Sequence, residues 1–426
     1  MTMLVFLGSL LGAMSLRIPV AFALLLAGVA LMLQLDSFDS QILAQNLISG
    51  ADSFPLLAIP FFMLAGELMN AGGLSRRIVA LPMALVGHKR GGLGFVAIIA
   101  SIVMASLSGS AVADTAAVAA MLLPMMRKAG YDPGRSAGLI AAGGIIAPVI
   151  PPSIPLVVFG VAGGVSITKL FLAGIVPGLM MGLALWCTWW WLARKQDYPV
   201  GERAPFSEVR RTFVDGIWAL MLPVLIVGGL KLGIFTPTEA AAVAAVYALF
   251  VSLVVYRELK PRDLFKVFLE AGKTSAVIMF LVAAALVSSW LMTIAELPMR
   301  VSDLLEPLVE HPTLLLLTIM LVVLAVGTAM DLMPIVLILT PVFMPVIKLA
   351  GIDPVYFGIL FILNTTIGLI TPPVGNVLNV VSGVGRVGLD RVMVGVLPFV
   401  CAHLTVLGLL IAFPALVMTP LRWFLP

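Results

Sequence analysis

Two phrases of the chain carry residues with an evident chemical use. "IAPVIPPSIP" (146–155) and "NTTIGLITPPVGN" (364–376) each set a double proline, Pro151–Pro152 and Pro372–Pro373, inside long apolar sequence. Proline lacks an N–H and drives the residue before it out of helix, so each pair leaves backbone carbonyls without their helical partners. Small oxygen-bearing residues gather near both. On the first side these are Ser106, Ser108, Gly109 and Ser110, with Gly143, Gly144 and Pro148. On the second they are Gly327 and Thr328, with Asn364, Thr365, Thr366, Gly368 and Thr371. A donor set made of carbonyls, hydroxyls and amides suits a hard cation such as sodium. Asp114 and Asp331 add one carboxylate each to stretches that are otherwise uncharged.

Every one of these residues also has a structural use. Glycine and serine make close-packing surfaces between membrane helices, and a lone acid can cap a helix. A double proline in both phrases favours a binding region. An acid at membrane depth is costly enough to count as functional by default. Glu67 ("AGELMN") and Glu239 ("TPTEAAA") lie near the ends of apolar runs and read as structural. His88 and His311 fall in loops, and His403 reads as a core residue. No His/Cys/Glu cluster suggests a metal centre, and no histidine accompanies the serines, so catalysis is not expected.

The elements that position these residues must be membrane helices. Of 426 residues, 61% are hydrophobic and 11% charged, where soluble domains carry about 25% charged residues. Runs such as "AFALLLAGVALMLQL" do not alternate as barrel strands do, so the expected class is an all-α polytopic membrane protein. The N-terminal "MTMLVFLGSLLGAMSLRIP" lacks a basic leader region and reads as a retained first span. Cys187 and Cys401 give no disulfide framework. Nothing points to nucleic acid, and no soluble domain is expected.

Charge gives sidedness. Segment 36–52 holds Asp36, Asp39 and Asp52 without a base, and 296–312 holds four acids against Arg300. Segment 73–92 holds four bases and no acid, while 194–211 and 257–273 hold five bases each. Basic loops stay cytoplasmic, so the acidic segments and both termini face the periplasm. Trp186, Trp189, Trp190 and Trp191 fit an interfacial aromatic belt. This alternation requires 91–126 and 313–347 to return to the side they enter from, each as a re-entrant helical hairpin split at "SLSGSA" or "VGTAMD". Two tilted full crossings would give the same sidedness.

The halves of the chain match. Pro124, Gly130, Asp132, Pro133, Pro151, Pro152, Gly164, Gly174 and Pro177 recur, at one constant offset, as Pro345, Gly351, Asp353, Pro354, Pro372, Pro373, Gly385, Gly395 and Pro398. With the hairpins entering from opposite sides, the repeat is inverted. Inverted repeats with broken helices mark secondary carriers, whose sites lie at the interruptions.

"GSAVADTAAV", "APVIPPSIPLVVFG", "GIFTPTEAAAVAAVYAL", "GTAMDLMPIVLILTP" and "GLITPPVGNVLNV" together resemble the large membrane subunit of tripartite ATP-independent periplasmic (TRAP) transporters, of the DctM/SiaM type. The resemblance runs along essentially the whole chain. It implies an elevator-type carrier with scaffold helices in 1–72 and 212–295. An arm and half of the transport domain would occupy 73–193 (hairpin 91–126, broken helix 134–165). A second arm and half would occupy 296–426 (hairpin 313–347, broken helix 354–385). It further implies import of a small organic anion across the bacterial inner membrane with Na+ as coupling ion near the hairpin tips and double-proline breaks, and no other cofactor. A small four-helix membrane subunit on a separate chain and a periplasmic substrate-binding protein would be the partners. The "ADT" and "MD" acids, Asp114 and Asp331, would flank the ion-coupling region. A stand-alone ion-coupled anion symporter of related architecture is the alternative.

Overall fold

The computed structural model describes residues 2–424, and all regular structure among them is helical. The first half runs α1 (Thr2–Ser15), α2 (Val20–Gln34), α3 (Ser40–Ala51), α4 (Ala58–Ala71), α5 (Leu74–Val86), α6 (Gly92–Ser108), α7 (Ala111–Lys128), α8 (Pro133–Gly144), α9 (Ile154–Gly163) and α10 (Ile167–Ala193). The second runs α11 (Phe206–Lys231), α12 (Pro237–Phe250), α13 (Leu264–Ile294), α14 (Leu297–Leu305), α15 (Pro312–Gly327), α16 (Leu332–Leu349), α17 (Pro354–Gly368), α18 (Asn376–Gly385), α19 (Leu389–Ala412) and α20 (Ala415–Phe424). Seven helical stretches among the described residues are long and apolar enough to cross a membrane.

The helices start where the sequence supplies caps. Asp132 and Asp353, each followed by proline, open α8 and α17. Asp132 accepts from Arg135 N–H at 2.7 Å, and Asp353 accepts from Val355 N–H at 2.8 Å. Such a cap satisfies donors that the helix itself leaves orphaned. Thr236 and Glu239 form a reciprocal capping box at the start of α12, so the "TPTEAAA" acid is structural. Both double prolines interrupt helix as expected: residues 145–153 separate α8 from α9, and 369–375 separate α17 from α18.

Burial shows where the core lies. In α17, fourteen of fifteen residues are buried, against six of twenty-six in α11. A helix apolar all round and buried all round belongs to the centre of a bundle. Here α17 packs on α15, α9, α10 and α19, while α8 packs on α6, α7 and α19. The two halves interlock, since α9 lies on α16 and α18 lies on α7 and α8. Around this centre, α4 packs on α12, and α13 on α2, α3 and α4.

The α8–α19 seam is a backbone-to-backbone contact. A side-chain carbon at Gly138 would lie 2.6 Å from the Val396 amide nitrogen, and one at Gly395 would overlap the Gly134 carbonyl. On the same seam the buried His403 ring shares a 3.1 Å hydrogen bond through Nε2 with the Ala142 carbonyl, so His403 is a core residue.

Segments that charge alone marks as polar connections hold short helices instead: α3 in 36–52, α5 in 73–92 and α14 in 296–312. They are polar on one face and apolar on the other, the pattern of helices that lie along a bilayer surface. Left-handed residues turn the chain into two of them, Gly73 (φ 72°) before α5 and Glu296 (φ 57°) before α14. Glu258 secures the first turn, bridging Arg76 at 2.6 Å and Arg77 at 2.8 Å. Trp189 also departs from the expected aromatic belt. It is fully buried, donates its indole N–H to the Gly91 carbonyl at 2.8 Å and stacks on Tyr131 and Tyr198. Trp190 and Trp191 remain exposed.

Gly138→Val should destabilise the protein by about 1–3 kcal/mol through overpacking against backbone that cannot yield. Gly408→Ala, in open space on α19, should be neutral or slightly stabilising. Thermal unfolding of the detergent-solubilised protein, with the two variants side by side, checks this.

Candidate functional site

Both interruptions meet a helix turn. In the first half, α6 ends at Gly109, left-handed at φ 64°, and Ser110 caps α7 by accepting from Ala113 N–H at 3.3 Å. A methyl group at Gly109 would overlap the Pro152 carbonyl oxygen, so the turn is seated directly on the first break. In the second half, the α15–α16 turn spans 328–331. Gly327 packs against Gly368, and the Thr328 carbonyl accepts from Gly375 N–H at 3.5 Å across the second break.

A cavity of about 300 Å³ opens where these four pieces converge. Gly109, Ser110, Ala111 and Val112 line it from the first turn, and Pro148, Ile154 and Pro155 from the first break. Asp331, Leu332 and Met333 come from the second turn, and Leu369 from the second break. Met63, Thr274 and Ile278 close the far wall from α4 and α13. Three helix N-termini, those of α7, α9 and α16, therefore face one space. A helix N-terminus presents free N–H groups and the positive end of the macrodipole, a chemistry that suits an anion. No lysine or arginine lines the cavity.

Behind the first turn lies a second, enclosed arrangement. Ser108 donates to Asp114 Oδ1 at 2.5 Å, and the Ser110 N–H donates to the Ser108 hydroxyl at 3.1 Å. Asp114 is only 1% exposed and its Oδ2 has no partner. Beside it, two buried hydroxyls that the sequence reading passed over, Ser101 and Thr115, also have no partner. They sit where side chains at Gly143 and Gly144 would be: a carbon on Gly143 would come 2.5 Å from Ser101 Oγ, and one on Gly144 would overlap Thr115 Oγ1. The signal available for them was a hydroxyl in each arm of the first hairpin facing the paired glycines of α8.

The second half offers a matching but not identical set. Asn364 donates from Nδ2 to the Met320 carbonyl at 2.6 Å and leaves Oδ1 unpartnered and buried. Thr365, Thr366 and Thr371 donate to the carbonyls of Phe361, Leu363 and Ile367 at 2.7, 2.7 and 2.8 Å. Thr328 donates to Ala325 at 2.8 Å. With their protons committed to their own helices, these oxygens present lone pairs, which suits a cation and not an anion. The unpartnered oxygens of Asp114 and Asn364 are open to an occupant, and the donor set around them is of the kind that suits a hard cation.

Not all candidates converge. Ser106 donates to its own helix at Val103, 2.6 Å away, and with Pro151 lines a separate apolar groove. Asp114 and Asp331 are not equivalent either. Asp331 occupies the N-cap position of α16, exposed to the cavity and without a side-chain cap bond, whereas Asp114 sits in the first turn inside α7, sealed from it. Pro151 and Pro152 are buried, while Pro373 is exposed.

Residues 7–416 match the family model described as "Tripartite ATP-independent periplasmic transporter, DctM component". The chain belongs to this family. It is 61% identical, over 99% of its length and all of the relative's, to the 2,3-diketo-L-gulonate TRAP transporter large permease protein YiaN of Escherichia coli (strain K12). It is 39% identical to the sialic acid TRAP transporter large permease protein SiaM of Vibrio cholerae, over 95% of each chain. The C4-dicarboxylate TRAP transporter large permease protein DctM of Pseudomonas aeruginosa is 40% identical over 92% of each. Among solved structures, the Alcanivorax borkumensis YdaH transporter superposes with a TM-score of 0.66 at 16% identity, covering 89% of this chain and 88% of that one. That likeness concerns fold. A TRAP large permease is a multi-pass membrane transport protein and not an enzyme.

Gly109→Ala combines a left-handed backbone with a clash against Pro152. Uptake in cells should fall by about tenfold or more, because displacing the turn by roughly 1 Å misplaces the site it builds. Membrane insertion, read by immunoblot of the membrane fraction, should be unchanged.

Proposed function

We propose that this TRAP large permease imports a small sugar-derived organic acid across the bacterial inner membrane, coupled to sodium, by an elevator movement. The observation that carries the reading is the convergence of three helix N-termini on one cavity with orphaned oxygens packed behind it. The N-termini receive the carboxylate. Asp331, the cavity's one charged side chain, accepts hydrogen bonds from hydroxyls of the same substrate and repels a second carboxylate. This favours a polyhydroxylated monoacid over a dicarboxylate, in line with the relative named for 2,3-diketo-L-gulonate.

Sodium enters as co-transported cargo. Asp114 Oδ2, Thr115 Oγ1, Ser101 Oγ and carbonyls near Gly143 and Gly144 would hold one ion, and Asn364 Oδ1 with the lone pairs of Thr365 and Thr366 a second. Each charge falling through 100 mV supplies about 2.3 kcal/mol before its concentration gradient counts. The elevator reading divides the chain into scaffold helices (1–72, 212–295), whose α4 and α13 form the cavity's far wall, and a moving body made of both hairpins and both broken helices. Supporting an inverted repeat, α8/α9 and α17/α18 recur at the offset read from the sequence, as do the Asp–Pro starts of α8 and α17. On this reading α6–α7 and α15–α16 are re-entrant, the termini are periplasmic, and the partners are a four-helix small subunit and a periplasmic binding protein.

The test is reconstitution in liposomes with small subunit and binding protein, following labelled 2,3-diketogulonate. Uptake should require both an inward sodium gradient and the binding protein; uptake unchanged in choline medium would overturn the coupling. Thr115→Val removes one ligand oxygen without changing shape. It should raise the sodium concentration for half-maximal uptake by about tenfold, the scale of one lost hydrogen-bond-strength contact to a charge. Asp331→Asn should weaken the hydroxylated acid while relaxing exclusion of succinate, measured as competition in the same assay.

A further inference from the structure

A second cavity, of about 470 Å³, lies where the α5–α6 turn meets the end of α10, remote from the transport cavity in sequence and lining. Its walls differ in kind. Phe95 and Trp186 form one side, their rings 4.3 Å apart. The rim carries Lys89, Arg90 and Arg194 and no acid. The Arg194 guanidinium stacks over the Trp190 ring at 3.5 Å, which orients a planar fork without neutralising it. Arg90 is engaged, donating to Asp197 at 2.6 Å and to the Gln196 carbonyl at 2.8 Å. Lys89 and Arg194 make no ion pair with an acid among the described residues. Two cations without an acidic partner among the described residues thus stand over an aromatic slot at the end of a 27-residue apolar helix that carries Trp186 and Trp190.

We propose that this cavity binds the phosphodiester headgroup of an anionic phospholipid, its acyl chain running down the Phe95–Trp186 face. Lys89 and Arg194 contact the phosphate, Arg194 through its fork, and Arg90 is held in place by Asp197 as the wall between them. A headgroup alone would meet only the rim; the aromatic slot needs an apolar chain to fill it. Basic pockets between membrane helices bind acidic lipids by this combination. The inference is independent of how sodium or substrate binds.

The full-length protein, delipidated in detergent, would be titrated with phosphatidylglycerol, phosphatidylcholine, or inorganic phosphate. Thermal unfolding and quenching of tryptophan by brominated acyl chains would be read together. Phosphatidylglycerol should stabilise and quench, phosphatidylcholine should do neither at the same concentration, and phosphate alone should have no effect. The double variant K89Q/R194Q should bind phosphatidylglycerol about tenfold more weakly, while K266Q, the same kind of charge removed elsewhere, should match the parent. W190F should keep the stabilisation but lose part of the quenching. Equal binding by K89Q/R194Q and parent, or an equal effect of phosphatidylcholine, overturns the site. Stabilisation by inorganic phosphate alone, abolished in K89Q/R194Q, overturns the lipid in favour of a free anion.

Discussion

Inside a bilayer a backbone N–H or C=O that leaves its helix must find another partner or a cavity, because lipid offers none. Two interruptions inside long apolar sequence, 145–153 and 369–375, put that demand on this chain twice. The first is met largely from within. Ser153 donates to the Pro148 carbonyl at 2.5 Å and accepts from Leu156 N–H, and every residue of the break is buried. The second lacks such a serine, since Val374 stands at the corresponding place, and it borrows the Thr328 carbonyl from the α15–α16 turn. A helix turn is seated on each break, and the second takes a backbone hydrogen bond from it. The site forms at this junction because the same groups that must be satisfied are the ones available to a ligand.

Charge sorts itself by the direction of helix ends. At the cavity, donors converge: the starts of α7, α9 and α16. Behind it, acceptors gather: Asp114 Oδ2 and Asn364 Oδ1 lack partners, and Thr365, Thr366 and Thr371 donate to carbonyls of their own helix. An anion and a cation can then bind a short distance apart, on opposite sides of the same turn. Ser108 joins the two regions, since its hydroxyl donates to Asp114 while accepting from the Ser110 amide. A cation beside Asp114 would pull on this short chain and so on the turn that frames the anion cavity. This is a physical route by which filling one region prepares the other.

Much of this was legible before any coordinates. The double prolines marked the breaks and the glycine–serine and Thr–Ala–Met–Asp phrases the turns, because each is a local rule of backbone chemistry, and the broken helices expected from 134 and 354 begin at Pro133 and Pro354. What escaped depended on distant contacts. Ser101 and Thr115 look like ordinary membrane-helix hydroxyls until α8 presents Gly143 and Gly144 to them. Asp114 and Asp331 look alike as lone acids, yet differ by four positions relative to their helix starts, enough to seal one and expose the other. Trp189 sits among three other tryptophans, and only the fold of the α5–α6 turn selects it for burial. Charge counting likewise located α3, α5 and α14 but could not say that they are helices, since a one-sided polar segment at an interface satisfies the same count.

The far wall of the cavity bears on how such a site could move. Its helix N-termini and its one charged side chain come wholly from the turns and breaks, whereas α4 and α13 contribute Met63, Thr274 and Ile278. Two of these are apolar, and none of the three belongs to the oxygen sets around Asp114 or Asn364. A body carrying both regions could slide past such a wall without breaking a hydrogen bond of the site, exchanging one apolar contact for another at small cost. Were the essential ligands divided between body and wall, every crossing would strip the cargo of part of its coordination. A wall without site ligands therefore removes one barrier to translocating the loaded site as a unit. On the proposed reading, selectivity would then rest on the turns, at Asp331 and the three helix starts, and the wall would seal.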